Sequence, residues 1–164
     1  MNEILIPNAR AYAERHQLEL AESLGSGKDG IVLVAKSKAK PADAAVKVLR
    51  WDELYQREKQ AYERLRELGV NTVQGFNVPQ LIGCADDLRV LEMTIVKRPF
   101  VLDFAGAYLD ARPEFPEEVW ADWEADKREQ FEARWPAVQG VLEAFERFGV
   151  YLLDVAPANI AFLD

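Results

Sequence analysis

Three glycines between two apolar segments constrain this chain more than any other feature. Gly25, Gly27 and Gly30 form a G-x-G-x-x-G run, and the apolar, largely β-branched stretch 31–34 follows directly. That stretch predicts a strand, so the glycines join two antiparallel strands rather than opening the helix of a dinucleotide-binding unit. A Walker A loop is excluded because no Gly-Lys-Ser or Gly-Lys-Thr closes the run. Two interpretations remain, a loop whose backbone approaches phosphate closely or an ordinary glycine hairpin.

Composition and charge limit the classes of function. The 164 residues, 49% of them hydrophobic, suffice for one domain or for two small lobes that share a cleft. The net charge of −8 argues against a nucleic-acid-binding surface. The one cysteine, Cys84, permits no intrachain disulfide. Because there is neither a signal-peptide pattern nor an apolar stretch of membrane-spanning length, we expect a cytoplasmic protein with no membrane partner.

Much of the negative charge is local. Residues 110–134 hold nine carboxylates against four basic side chains. This segment is either a solvated helix face or a docking surface for a basic partner. Trp120, Trp123 and Trp135 lie in or next to it, and they either anchor the packing of the second half or line a substrate pocket.

The hydrophobic periodicity predicts an α+β fold with strands first and helices second. A helical extension at 1–17 precedes a sheet-rich unit at 18–96, and a mainly helical unit at 97–164 follows the linker Lys97-Arg98-Pro99. A further helix starts near Pro116, and an apolar helical stripe ends at Gly149. The predicted elements of the first half are a helix from Pro7 to about residue 16, strands at 18–24, 31–37 and 44–49, a helix from an Asp52 N-cap to Gly69, a loop at 70–77, and a hairpin of strands 78–85 and 88–93 about Asp86-Asp87.

A lysine lies within an apolar strand in the sequence Ala44-Ala45-Val46-Lys47. Lysine is rarely buried without a partner because removing an ammonium group from water is costly. Glu58, on the following predicted helix, could contact Lys47 and hold its ammonium toward a phosphate, although Glu53 or Glu63 could serve instead. The alternative is an edge-strand lysine that extends to water.

The last segment carries the most specific motif, D-x-x-P-x-N at 154–159 between two apolar segments. Asp154 and Asn159 lie on a loop stiffened by Pro157, so their side chains can converge on one point. The carboxylate can accept a hydroxyl proton while the amide oxygen binds Mg²⁺. The alternative is a polar turn between two strands.

In this order and spacing, the glycine loop, the A-x-K strand, the helix glutamate and the D-x-x-P-x-N loop resemble the eukaryotic-type protein kinase family. The resemblance covers residues 18–163. It implies a protein-kinase-like bilobal fold: a five-stranded antiparallel N-lobe sheet with one helix, and a reduced, mainly helical C-lobe. It also implies ATP and Mg²⁺ as cofactors and a protein Ser/Thr hydroxyl as the acceptor.

The resemblance implies a role for each matching residue. Lys47 would grip the phosphates, Glu58 would position Lys47, and Asp154 would orient or deprotonate the acceptor hydroxyl. Leu91 would be the gatekeeper, followed by the adenine-binding hinge Glu92-Met93-Thr94. The remaining residues expected to contact the cofactor are Gly25, Ser26, Gly27, Gly30, Val32, Ala45, Glu92 and Thr94, with Asn159 and Asp164 as metal ligands.

The chain also departs from the family pattern. Leu152-Leu153-Asp154 stands where the family has His-Arg-Asp, and we expect Asp-Phe-Gly after the catalytic loop to be missing because the sequence stops at Asp164. Asp164 would then either end the strand after that loop or substitute as a metal ligand. These departures leave two alternatives to an active protein kinase. One is a pseudokinase that binds nucleotide or acts as a scaffold, and the other is a small-molecule kinase of the aminoglycoside or choline type.

Overall fold

The computed structural model describes residues 4–163, and these residues form an α+β architecture. The first half contains α1 (Leu5–His16), β1 (Glu19–Ser26), β2 (Gly30–Lys36), β3 (Ala44–Leu49), α2 (Asp52–Glu67), β4 (Thr72–Val73), β5 (Phe76–Asn77), β6 (Leu81–Ala85) and β7 (Val90–Thr94). The second half contains β8 (Phe100–Val101), β9 (Tyr108–Leu109), α3 (Glu117–Phe131), a 3-10 turn (Glu132–Arg134), α4 (Trp135–Arg147), β10 (Val150–Tyr151) and β11 (Ile160–Ala161).

The predicted five-stranded antiparallel sheet is confirmed. Its strand order is β1-β2-β3-β7-β6, so β3 occupies the centre. Lys47 on β3 pairs with Val32 on β2 and with Leu91 on β7. A lysine in the central strand cannot reach water past a sheet edge, so it needs a partner within the protein.

The two helices of the first half cover opposite faces of this sheet. Leu5, Ala9 and Tyr12 recur at helical spacing, and they bury the inner face of α1 against Val46 and Val48. The predicted N-terminal helix is therefore confirmed, with its start at Leu5. Helix α2 packs on the other sheet face, which is the side toward the second half.

The second half is tied to the first by a shared hydrophobic core. Ala45 and Leu65 belong to the same buried cluster as Phe104, Phe145 and Ile160. Backbone pairing also joins the halves, since β8 pairs with β5 at Phe100 and Asn77. Within the second half, β10 pairs with β9 and β11 pairs with β8, so segments before α3 pair with segments after α4.

Some local predictions were wrong at the level of single residues. Asp52 is the first residue of α2 rather than its N-cap, and Trp51 occupies the cap position without a capping side chain. Asp52 instead places its negative charge in the first turn, where it interacts favourably with the positive end of the helix dipole. The predicted loop at 70–77 includes β4 and β5. Gly69 ends α2 and Gly149 follows α4 as predicted, each with a positive φ.

Within residues 4–163, no helix is long and apolar enough to cross a membrane.

Candidate functional site

A cavity of about 710 Å³ opens between the glycine loop, the sheet and two loops of the second half. Its size falls in the range of about 300 to 1,000 Å³ that is typical of small-molecule sites. The predicted site residues that line it are Gly25, Ser26, Gly27, Gly30, Val32, Ala45, Lys47, Thr94, Asp154 and Asn159.

The ammonium of Lys47 lies between two carboxylates at one wall of this cavity. Its Nζ is 2.6 Å from Glu58 Oε1 and 3.5 Å from Asp103 Oδ1. Glu58 is thus the carboxylate that contacts Lys47, whereas Glu53 pairs with Arg57 in an exposed i, i+4 pair on α2. The Glu58 side chain is fully buried, and its second oxygen, Oε2, accepts a hydrogen bond of 2.6 Å from the Phe104 backbone N–H.

Burial and charge act against each other at this pair. Burial works to lower the pKa of Lys47, but the carboxylates of Glu58 and Asp103 outweigh it and raise that pKa. Burial raises the pKa of Glu58, and the neighbouring ammonium opposes the rise. Lys47 therefore stays protonated near neutral pH, and it supplies a fixed positive charge at the cavity wall.

Asp103 is a site residue that the sequence analysis missed. It lies in the loop 102–106 with a φ of +70°, in the left-handed region that Asp and Asn tolerate better than most residues. Its Oδ1 accepts a 3.3 Å hydrogen bond from the Ala105 N–H, while its Oδ2 has no partner among residues 4–163. One carboxylate oxygen of a cavity-lining residue thus remains free to bind a ligand.

The neighbours of Asp103 fix this loop to the core and to Asp154. Phe104 is fully buried, with its ring 5.0 Å from Tyr62 and 5.5 Å from Phe145. Gly106 lies so close to Asp154 that a Cβ at Gly106 would be 2.9 Å from Asp154 Cβ. The loop of Asp103 and the loop of Asp154 are therefore packed directly against each other.

The loop 154–159 presents two unpartnered oxygen-bearing side chains. The Asp154 carboxylate and the Asn159 amide make no hydrogen bond within residues 4–163, although both residues line the cavity. The Asn159 backbone is held at both ends, since its N–H donates to Ala156 O at 2.9 Å and its carbonyl accepts from the Leu102 N–H at 2.8 Å. The side chains are thus free while the backbone is fixed.

Two side chains of helix α3 hydrogen-bond to the backbone on either side of Asp154. Trp123 Nε1 donates to Leu153 O at 3.0 Å, and Lys127 Nζ donates to Val155 O at 2.6 Å. These two carbonyls flank Asp154 in the chain. The sequence lacks the histidine and arginine of the family motif, and two side chains one helical turn apart on α3 hold the loop instead.

The glycines of the first loop differ in what they do for the fold. A Cβ at Gly30 would overlap the Val48 carbonyl oxygen on β3, so this glycine permits close strand pairing. A Cβ at Gly25 or Gly27 would meet nothing within 4 Å, and neither residue has a positive φ. The fold does not require glycine at 25 and 27, and both residues border the cavity.

Three of the predicted site residues do not line the cavity: Glu58, Leu91 and Glu92. Glu58 acts through Lys47. Leu91 is fully buried in the core, and buried Glu92 accepts a 2.8 Å hydrogen bond from Tyr12 Oη on the α1 side of the sheet. Residues 93–96 line the cavity instead, so this segment lies two residues further along the chain than the predicted gatekeeper and hinge at 91–94.

Thr94 and Asp164 are the last two of the predicted site residues. Thr94 does line the cavity, but its N–H donates to Gln80 O and its Oγ1 accepts from the Gln80 N–H, both at 2.9 Å. That N–H is therefore not available to a ligand. Asp164 lies outside the described residues.

Three side chains with oxygen donors suited to a hard cation line this cavity. Asp103 and Asp154 offer carboxylate oxygens and Asn159 an amide oxygen, the ligands that Mg²⁺ prefers. Within residues 4–163 no group of three or more His, Cys, Asp or Glu side chains could hold a metal alone. This set fits a Mg²⁺ ion that takes its other ligands from phosphate and water, as Mg²⁺ commonly does.

The sequence carried a signal for Asp103. Leu102-Asp103-Phe104-Ala105-Gly106 follows an apolar pair, and its aspartate and glycine are typical of a loop that can present a carboxylate. The pattern does not show what this loop packs against, because its contact with the 154–159 loop is long-range. For Trp123 and Lys127 no local pattern indicates a partner, since both reach a loop far away in the chain.

Comparison of the sequence with protein-family models found no match, and comparison with curated proteins found none either. The function is therefore inferred from the arrangement of the side chains.

Proposed function

We propose that this chain binds ATP with Mg²⁺ in the 710 Å³ cavity and transfers the terminal phosphoryl group to a hydroxyl, in a protein-kinase-like bilobal arrangement. One observation carries the proposal. Lys47, whose ammonium is paired with buried Glu58, lines the same cavity as Asp103, Asp154 and Asn159, beneath a glycine loop. A cation for phosphate and oxygen ligands for a metal are the two requirements of phosphoryl transfer.

The order of Asp103 and Asp154 along the chain means that the proposed site is a rearranged version of the kinase site. In the kinase family, the metal-binding aspartate follows the catalytic loop along the chain. Here Asp103 precedes Asp154, but pairing of β8 with β11 and of β9 with β10 brings their two loops together. The expectation that this aspartate is missing is replaced by the proposal that Asp103 supplies it from the other side of α3 and α4.

Each residue has a separate task in the proposed transfer. Lys47 holds the phosphates, and Glu58 keeps its ammonium in place. Asp154 accepts the proton of the acceptor hydroxyl. At the same time the hydroxyl oxygen bonds to the terminal phosphorus of ATP, and the bond from that phosphorus to the ADP oxygen breaks. Asp103 and Asn159 would hold Mg²⁺, which neutralises charge on the phosphates when bound. Most of the rate enhancement would come from positioning and electrostatics.

Phosphoryl transfer from labelled ATP tests the proposal. The parent should label an acceptor or itself, and Asp154→Ala and Lys47→Ala should each abolish labelling. Thermal unfolding with Mg·ATP tests binding separately, since a ligand at about 100 Kd adds about 2.7 kcal/mol. Labelling that survives Asp154→Ala would refute the mechanism.

A nucleotide-binding scaffold is the second candidate. It is favoured by the absence of His-Arg before Asp154, which is replaced by Leu152-Leu153. Stabilisation by Mg·ATP without transfer to any acceptor would support this candidate over the first.

A further inference from the structure

A second cavity, of about 520 Å³, lies between α3, α4 and residues 152–153. We call it the acidic groove and define it by Trp120, Trp123, Trp135, Glu117, Glu143 and Glu146, which line it. We infer that the acidic groove binds an arginine side chain of a protein or peptide acceptor. This inference deepens the proposed function and rests on it, because it names the substrate class of the same site.

The charge of the groove selects a cation. The carboxylates of Glu117, Glu143 and Glu146 have no ion pair within the part of the chain that the structure describes. A fourth lining carboxylate, Glu124, pairs with Arg128 at 2.9 Å. Among the described lining residues, three carboxylates without an ion pair, against the single unpaired cation Arg112, leave the groove net negative, so it attracts a positive ligand and repels an acidic one.

The aromatic wall already holds a guanidinium. The Cζ of Arg112 lies 3.8 Å from the centroid of the Trp120 ring, in the geometry of a cation–π contact. Arg112 is exposed and belongs to the irregular segment that precedes α3. A guanidinium from an acceptor can take the same position on the ring, since an exposed side chain is displaced at little cost. The planar group suits this face better than a lysine ammonium.

A buried donor in the groove lacks an acceptor. Trp135 is 5% exposed, and its Nε1 is buried and makes no hydrogen bond within residues 4–163. A buried indole N–H usually finds a partner, so its isolation at a cavity wall points to an acceptor atom of a ligand. A peptide supplies both groups, a guanidinium for Trp120 and a carbonyl oxygen for Trp135.

The groove adjoins the proposed site of phosphoryl transfer. Leu153 lines the acidic groove, and the next residue, Asp154, lines the nucleotide cavity. Trp123, a wall of the groove, also donates to Leu153 O. The acidic groove and the nucleotide cavity therefore meet at residues 153–154, and we infer that an acceptor held by its arginine in the groove extends from there to Asp154.

Peptide binding tests the inference without nucleotide. Fluorescently labelled alanine-based heptapeptides, each with a central serine and arginines at other positions, are compared with matched peptides in which citrulline replaces arginine. Polarisation at 0.15 M salt should show about tenfold tighter binding of the best arginine peptide, as one cation–π contact with added charge attraction predicts. Trp120→Leu, and separately Glu143→Gln with Glu146→Gln, should remove most of that preference.

One further variant is a control, and another should strengthen binding. Glu129→Gln changes an exposed α3 carboxylate outside the groove, and it should leave the preference unchanged. Arg112→Ala vacates the Trp120 ring, so it should tighten binding of the arginine peptide. Equal binding of the arginine and citrulline peptides by the parent would overturn the inference, as would saturable binding of kanamycin with no peptide binding. Arginine preference without any stabilisation by Mg·ATP would instead refute the proposed function and leave the groove as a docking surface.

Discussion

Glu58 shows how a single residue can oppose the pattern of its own helix. Tyr55, Ala61, Tyr62 and Leu65 form the apolar stripe of α2, and Glu58 is buried among them. A buried carboxylate without partners costs several kcal/mol, but here each oxygen has one, in Lys47 or in the Phe104 N–H. A buried ion pair where apolar residues would pack at less cost is typical of a functional site.

Gly106 provides a test of how Asp154 is placed. Gly106→Ala introduces a Cβ 2.9 Å from Asp154 Cβ, so the Asp154 loop must shift. A displacement of about 1 Å at a reacting group costs on the order of 100-fold in rate, so transfer should fall by that order while the fold persists. Steady-state kinetics of labelling should show the loss in kcat, with little change in KM for ATP.

The matched control is the same substitution elsewhere. Gly140 lies within α4, and a Cβ there meets nothing within 4 Å. Gly140→Ala should stabilise the protein by about 0.5–1 kcal/mol, because alanine favours the helix, and should leave transfer unchanged. Equal rates for Gly106→Ala and the parent would contradict the assigned position of Asp154.

Helix α3 is the element that holds the loop 154–159, to which we assign the catalytic role. Lys127→Met keeps the volume of a long side chain but removes the 2.6 Å hydrogen bond to Val155 O. The carbonyl loses its donor and the loop loosens, so kcat should fall by at least about tenfold. KM for ATP should remain within about twofold, because Lys47 and the glycine loop are unaffected.

Arg128→Met is the companion measurement. Arg128 is the next residue on α3, is exposed, and within residues 4–163 has one ion pair, with Glu124 at i, i+4. Such a pair contributes about 0.3–0.5 kcal/mol, so this variant should change stability slightly and transfer not at all. If both variants slowed transfer equally, the loss would reflect general damage to α3 rather than the bond to Val155.

The β6–β7 turn links the sheet to both helices of the first half. Asp87 pairs with Arg15 on α1, while Asp86 accepts hydrogen bonds from Tyr55 Oη at 2.6 Å and from Lys59 Nζ at 2.9 Å on α2. The hydrogen bond from Tyr55, with that from Lys59, lowers the pKa of Asp86 from its ordinary value of 3.8. Two adjacent turn aspartates thus fasten helices on opposite sheet faces.

This shift predicts a dependence of stability on pH. A carboxylate with a lowered pKa stabilises the fold above its unfolded value, 3.8, and loses that contribution as the pH falls through its folded value. Asp86→Asn should lower the free energy of unfolding by about 0.5–1 kcal/mol at pH 7, since the side chain is largely exposed. Urea titrations should show the gap closing below about pH 4. Asp43→Asn, at an exposed residue with no ion pair in residues 4–163, should show no gap at either pH.

At the scale of the whole molecule, the sequence predicted what depends on local pattern. The fold class, the five strands and the helices α1 and α2 follow from periodicity, and Lys47 follows from a charge within an apolar strand. The residue pattern left Glu53, Glu58 and Glu63 open as its partner, and the family resemblance favoured Glu58. The two-residue strands β8 and β9 escape such analysis because their long-range pairing with β11 and β10 defines them. The strands β4 and β5 form a local hairpin, but two residues are too few to show a period of two. Asp103 escaped because chain order was taken as spatial order. Leu91 and Glu92 were placed in the cavity, but residues 93–96 line it instead.

The proximity of Asp103 to the Asp154 loop yields a prediction that involves both ends of the second half. Asp103→Asn keeps the side-chain shape, and asparagine tolerates a φ of +70° as well as aspartate does. The variant should fold with little loss of stability but bind Mg²⁺ weakly. ATP without metal should stabilise parent and variant alike, whereas added Mg²⁺ should raise Tm further in the parent only. Mg²⁺ without nucleotide should leave both Tm values unchanged, because two carboxylates and an amide are too few ligands without phosphate oxygens.

The control is Asp122→Asn, which removes an exposed carboxylate on α3 and should respond to Mg²⁺ as the parent does. An identical Mg²⁺ response in parent and Asp103→Asn would show that Asp103 is not a metal ligand, and the proposed kinase-like site would then lack its second carboxylate.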